Sequence, residues 1–297
     1  MLGKLVRLPS QLLDIARHPL NRGRALDALL RWSRWQIGSR LVPGPVLVPF
    51  VNSHSLLAHA GMTGVTQNIY VGLAEFREMA FLLHVLRPDD LFVDVGANIG
   101  AYTVLAGSTG CKVIAVEPIE ETFRWLRRNV DVNGLGSRVE LHRCGVGACQ
   151  SKLRFTTSQD TVNHVCTSGE AGEEIEVTTL DSLLAGRRPS IMKIDVEGFE
   201  FQVLQGARET LQSEQLGAII IEVNGLCRRY NVAERQIFDD VRSFGFGPVD
   251  YDPFQRTVSL RNDERSESQN VIFVRDKITV TDRVANAPLV QLPNGTI

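Results

Sequence analysis

From residue 91 onward, short continuous apolar runs alternate with stretches in which apolar residues return every three or four positions. The runs LFVDV, KVIAVEP, RVELHRCGV, SIMKIDV and GAIIIEVN have the length and β-branched content of strands covered on both faces. Between them, AYTVLAGS, EETFRWLRRNVDVNG, LDSLLAGRR, EFQVLQGARETLQ and AERQIFDDVRSFG follow a helical period, and Gly134 provides a helix stop. KLRFTT and EIEVTTL read as further strands. FGPVDYD and NVIFVRD close the series as an antiparallel hairpin around a loop rich in Arg, Asp and Ser. The alternation predicts an α/β fold, a mostly parallel sheet with helices on both faces. Such a sheet binds its ligand at the carboxyl ends of the strands.

Upstream, LAEFREMAFLLHVLRPDD reads as a helix that ends before Pro88, and LVPGPVLVPFV as an extended linker or edge strand. RALDALLRWSRWQIGSRL has apolar residues at helical spacing, with Trp32 and Trp35 among them. Charge sharpens the division. The whole chain carries a formal net charge of −2, yet residues 1–50 hold eight Lys/Arg against two Asp, leaving the remainder acidic. The expected organisation is a basic helical extension over 1–67, a principal domain over 68–280 and a tail over 281–297. Three roles stay open for the basic segment: covering the substrate pocket, forming a homodimer, or touching a membrane that carries the substrate. A helix that packs its apolar stripe on the domain behind it is the simpler reading. The near-neutral balance gives no reason to expect nucleic acid as a partner. No apolar stretch is long enough for a transmembrane span, and five cysteines without a CxxC pair fit free thiols in a reducing cytoplasm.

The turn in LFVDVGANIG decides the ligand class. Dinucleotide folds use G-x-G-x-x-G, whose middle glycine lets the backbone touch a pyrophosphate. Here the order is Gly96, Asn98, Gly100, so the middle position bears a side chain, and Asp94 stands at the strand end. A carboxylate there repels phosphate and favours a cation. Glu117 ends the next strand, 21 positions after Gly96, where an acid can accept both hydroxyls of an adenosine ribose. A phosphate-free adenosine carrying a positive sulfonium, S-adenosylmethionine, meets all three conditions. The expected cofactor contacts are Asp94, Gly96, Asn98, Gly100 and Glu117.

FVDVGANIGAYT, AVEP, TLDSLL and MKIDVEGFEFQVLQGA together resemble the FkbM-type S-adenosylmethionine-dependent methyltransferases, over about residues 68–224. The resemblance implies a seven-stranded class I methyltransferase (Rossmann-like) sheet and methyl transfer to a hydroxyl of a sugar, a glycan or a polyketide product. The acid that many class I enzymes place beside the adenine after the third strand has no counterpart in HRCGVG, so no residue is assigned to that contact.

The methyl acceptor is expected near Asp195, at the end of the fourth strand, with Glu197 two residues later and Glu222 at the end of the next strand. An alcohol is a weak nucleophile at neutral pH, so a carboxylate that takes its proton during transfer helps. Crowded carboxylates raise one another's pKa toward a useful range. His164, in the insertion between strands, is the remaining candidate base. No metal is expected, because no histidine joins these acids in sequence; a divalent ion on the acidic rim is the rival reading. The function expected is therefore a cytoplasmic O-methyltransferase acting on a sugar or glycan-like acceptor. Its alternatives are a polyketide or lipid-linked acceptor, or a nucleoside-binding module without turnover.

Overall fold

The structure, a computed structural model, describes residues 7–42, 44–157, 162–167, 169–261 and 269–297. Its principal sheet has eight strands: β1 Leu91–Val95, β2 Lys112–Val116, β3 Val139–His142, β4 Ile191–Ile194, β5 Ala218–Glu222, β6 Gly247–Asp252, β7 Thr257–Leu260 and β8 Asn270–Val274. Their spatial order is β7-β6-β8-β5-β4-β1-β2-β3. β4, β1, β2 and β3 run parallel to β5, whereas β8 is inserted antiparallel between β5 and β6. The order reverses between β1 and β4, and that switch point fixes where a ligand can sit.

The expectation of seven strands falls one short. β7 is a four-residue edge strand paired only with β6, reached by a turn in which Asp252 Oδ1 accepts from the backbone N–H groups of Phe254 and Gln255. So short a strand carries little periodic signal. The Arg/Asp/Ser-rich loop expected between the closing strands falls largely at 262–268, outside the described residues. RVELHRCGV, read as one strand, divides. Val139–His142 stays in the principal sheet, and Gly145–Val146 joins a small sheet with Ser151–Phe155 and Glu173–Thr178. EFQVLQGARETLQ also divides, into helices Glu200–Gln205 and Arg208–Gln212, at Gly206, where the Gly147 carbonyl leaves no room for a Cβ.

Two apolar cores flank the sheet. One gathers Phe81, Leu82, Leu105 and Leu126 with Ala28 and Trp35 of the helix Ala25–Leu41. The other gathers Leu180, Leu204, Leu211, Phe238 and Phe273. The basic helix thus buries one stripe and leaves Leu26, Leu30, Ile37 and Leu41 exposed. The extended stretch expected from residue 41 supplies a strand, Val46–Val51, paired with His54–Ala58. Asn129 and Asn133 fasten that hairpin to the domain by accepting from the N–H groups of Leu57 and Ser55. Among the described residues no helix is long and apolar enough to cross a membrane.

Candidate active site

At the carboxyl ends of β1, β2, β4 and β5 lies a cavity of about 510 Å³. Its floor is the glycine turn. Gly96 adopts φ 82°, and a Cβ there would stand 1.8 Å from the Asp195 carbonyl oxygen, so glycine alone lets the β1 and β4 tips meet. Asn98 takes the left-handed φ of 51° that asparagine tolerates better than most residues, and its Oδ1 accepts from the Ile99 N–H at 2.7 Å. Gly100, also left-handed, begins the helix Ala101–Gly107. Of the four expected turn residues, Asp94, Gly96 and Asn98 line the cavity and Gly100 does not.

The two expected cofactor acids line the cavity. Asp94 is fully buried; its Oδ2 accepts from Thr103 Oγ1 at 2.6 Å, while Oδ1 has no hydrogen-bond partner. Burial raises its pKa, and Lys193 works against that rise. Glu117 accepts the N–H of Ile119 on one oxygen at 2.9 Å and that of Asn98 on the other at 3.0 Å. Each oxygen keeps a lone pair for a further donor. Burial pushes this carboxyl up to about 7. Pro118, Ile119, Cys144 and Val146 add an apolar wall beside Glu117. An unpartnered buried carboxylate oxygen for a cation, two carboxylate oxygens for paired hydroxyls and an apolar wall for a purine are the donor set that S-adenosylmethionine requires.

The rim holds the acids expected on the acceptor side. Asp195, Glu197 and Glu222 each bring an oxygen within 4.8 Å of the others. Asp195 is pinned by Lys193, whose Nζ donates to Oδ2 at 2.6 Å and lies 4.5 Å above the Tyr102 ring. Lys193 is 2% exposed. Burial alone would discharge it, but Asp195, Glu75 and Asp94 keep its ammonium charged. Glu197 has a left-handed φ of 54°, and Gly198 beside it φ 102°. Burial and the neighbouring Asp195 carry Glu197 up to about 8. The same causes push Glu222 well above the carboxylate range, and its Oε2 has no hydrogen-bond partner. His164 stands apart. It does not line the cavity, and its ring nitrogens meet the Val162 carbonyl at 2.9 Å and Glu170 Oε1 at 3.1 Å.

Four side chains at or behind the cavity were not singled out from sequence: Lys193, Glu75, Tyr102 and Glu200. Tyr102 donates to Glu75 Oε2 at 2.5 Å, and Asn270 Nδ2 donates to the same oxygen at 3.0 Å. Glu200, 1% exposed, accepts from the N–H groups of Val196 and Gly198 and so fixes the backbone that carries Glu197. For Glu200 a signal did exist, an acid in the first turn after a glycine; Lys193 lies inside an apolar strand that gave no hint of its role.

Residues 94–245, just over half of the chain, match the model of the Methyltransferase FkbM domain. The chain belongs to this family. As an FkbM methyltransferase domain it has S-adenosylmethionine as cofactor, and the donor set above fits that molecule. The hexuronic acid methyltransferase AglP of Haloferax volcanii is 33% identical over 147 residues, which cover 48% of this chain and 59% of that protein. The 31-O-demethyl-FK506 methyltransferase FkbM of Streptomyces tacrolimicus is 29% identical over 174 residues, covering 45% of this chain and 66% of its own. The chain thus spans about three-fifths to two-thirds of the length of these curated relatives. Among solved structures, the methyltransferase FkbM from Methylobacillus flagellatus KT matches 71% of this chain and 52% of its own at 19% identity, with a TM-score of 0.44. The mostly parallel α/β sheet, with β8 antiparallel, agrees with the fold class expected from the sequence.

Proposed function

We propose that this FkbM domain transfers a methyl group to a hydroxyl of a sugar or glycan-like acceptor. The observation that carries the reading is the acidic rim: Asp195, Glu197 and Glu222 converge at the strand ends beside the donor cavity. When bound, the cofactor supplies an electrophilic methyl on a cationic sulfur. The chain's task is to hold the acceptor oxygen in line with that carbon and to take its proton. Asp195, whose Oδ2 accepts from Lys193, keeps Oδ1 to accept a hydrogen bond from the acceptor hydroxyl. Glu197, with its pKa near the working pH, is the group best placed to receive the proton. Glu222 and Asn224, which also line the cavity, can hold neighbouring hydroxyls of a polyol. The 33% identity to a hexuronic acid methyltransferase supports a sugar acceptor, and the FK506-modifying relative supports a polyketide hydroxyl as the second reading.

A methyl-label transfer assay separates these. The chain is supplied with labelled S-adenosylmethionine and, in parallel, with uronic acids, neutral glycosides and a hydroxylated macrolide. The expected product is a base-stable methyl ether on a sugar. Label only in a base-labile methyl ester would move the reaction to a carboxyl group, and label only on the macrolide would install the second reading. Cofactor binding without transfer to any oxygen would leave the binding-module reading standing.

A further inference from the structure

The rim is unbalanced in a way that acceptor binding alone does not explain. Asp195, Glu197 and Glu222 crowd together, and Glu75, Asp94 and Glu200 lie close behind them. One buried ammonium, Lys193, faces them and donates to Asp195 alone, while the half-exposed Arg229 reaches only the Glu197 backbone carbonyl, at 3.5 Å, and bears on that carboxylate from outside. Glu222 is only 8% exposed, lines the cavity and leaves Oε2 with no hydrogen-bond donor. A buried carboxylate oxygen without a partner costs free energy unless a ligand meets it.

We propose that Asp195, Glu197 and Glu222 bind one hard divalent cation, of the magnesium, manganese or calcium type, which anchors oxygen atoms of the acceptor. The proposal deepens, and rests on, the O-methyltransferase reading, and it replaces the metal-free site expected from sequence. The geometry is close to what such an ion needs. Three oxygens within 4.8 Å of one another leave a central point at most about 2.8 Å from each. Side-chain shifts of roughly half an ångström reach the ~2.3–2.6 Å of calcium, and slightly larger ones the ~2.0–2.1 Å of magnesium. The ligands are all carboxylate, the chemistry hard cations prefer over softer metals. Two ligands stand on strand ends, and the third on a turn that Glu200 clamps, so the triad is held rather than assembled by chance. Three donors on one side leave the remaining coordination positions facing the cavity for water and for two acceptor oxygens. With the ion bound, Glu197 accepts the proton of the ion-held hydroxyl less readily than the free carboxylate would, an effect offset by the greater acidity of that hydroxyl. The cation would fix which hydroxyl faces the methyl group and make its proton easier to remove.

Manganese, followed by loss of the free-ion resonance in electron paramagnetic spectra, tests this on the full chain, with S-adenosylhomocysteine binding followed by calorimetry in the same samples. One manganese per chain is expected, displaced by magnesium, with at least tenfold weaker binding in Glu222→Gln and in Glu197→Gln. Both variants remove charge repulsion and should fold, and retained S-adenosylhomocysteine binding certifies it. If S-adenosylhomocysteine binds and manganese does not, or if both variants hold manganese as tightly as the parent chain, the cation site is overturned and the methyltransferase reading stands. If S-adenosylhomocysteine itself fails to bind, that reading falls, whatever manganese does.

Discussion

At the scale of single residues the proposed function divides the site into groups that hold the donor and groups that act on the acceptor. Glu117 belongs to the first. Replacing it by Gln leaves an amide that cannot accept on both atoms, so one of its two backbone N–H partners or a ribose hydroxyl loses its acceptor. Affinity for S-adenosylhomocysteine should fall about tenfold in calorimetry, the loss of one charged hydrogen bond. Asp195 belongs to the second. Asp195→Asn should cut kcat by about 10² to 10⁴ while S-adenosylhomocysteine affinity changes little, because the amide no longer orients the hydroxyl or balances Lys193. A matching fall in cofactor affinity would move Asp195 to the donor side. The glycine turn and Glu117 were legible in the sequence because both follow from where strands end. Lys193 and Glu75 were not. Lys193 sits between Met192 and Ile194 in an apolar strand, and Glu75 lies far from it along the chain. Only the fold brings them onto the same carboxylates.

Among the elements, the β4 turn is the most constrained. Glu197 holds a left-handed backbone that costs a residue with a Cβ about 1 kcal/mol or more, and Glu200 offsets that by accepting from the N–H groups on either side of it. Glu200→Gln keeps the shape but weakens the acceptor. We expect kcat to drop while the melting temperature and cofactor affinity stay near those of the parent, a split that a stability defect would not produce. The turn was half legible: DVEGFE announced acids and a glycine, but not that Glu200 would hold the backbone on both sides of Glu197. The divided helix at Gly206 and the short β7 escaped notice because each depends on a neighbour, the Gly147 carbonyl and β6, that no local pattern can reveal.

For the molecule as a whole, the raised acids set how stability follows pH. Glu117 and Glu200 titrate near 7 and Glu197 near 8, all through burial, whereas the unfolded chain releases these protons near 4.5. Between those values the folded state holds more protons, so stability falls as pH rises. Half-buried His18 and buried His84, lowered to about 4, act in the opposite sense up to about pH 6.5, where their unfolded forms lose the proton. The two effects oppose each other below about pH 6.5, and the acids alone remain above it. With Glu222 raised further still, the acids outnumber the histidines, so the melting temperature of the ligand-free chain should decline gently from pH 5 to 6.5 and more steeply toward pH 8; a rise over the upper interval would contradict the assignment. The α/β architecture and the switch point followed from the strand–helix alternation, and the eight-strand count did not, since its extra member is an edge. One contact has a consequence for redesign. The Asp195 backbone carbonyl occupies the space a side chain at position 96 would need, and the Asp195 N–H is tied to the Val95 carbonyl. Donor loop and acceptor loop are in effect soldered together, so efforts to retarget the enzyme toward new acceptors will gain more freedom at Glu222 and Asn224 than at the β4 tip, where every adjustment is transmitted to the nucleoside.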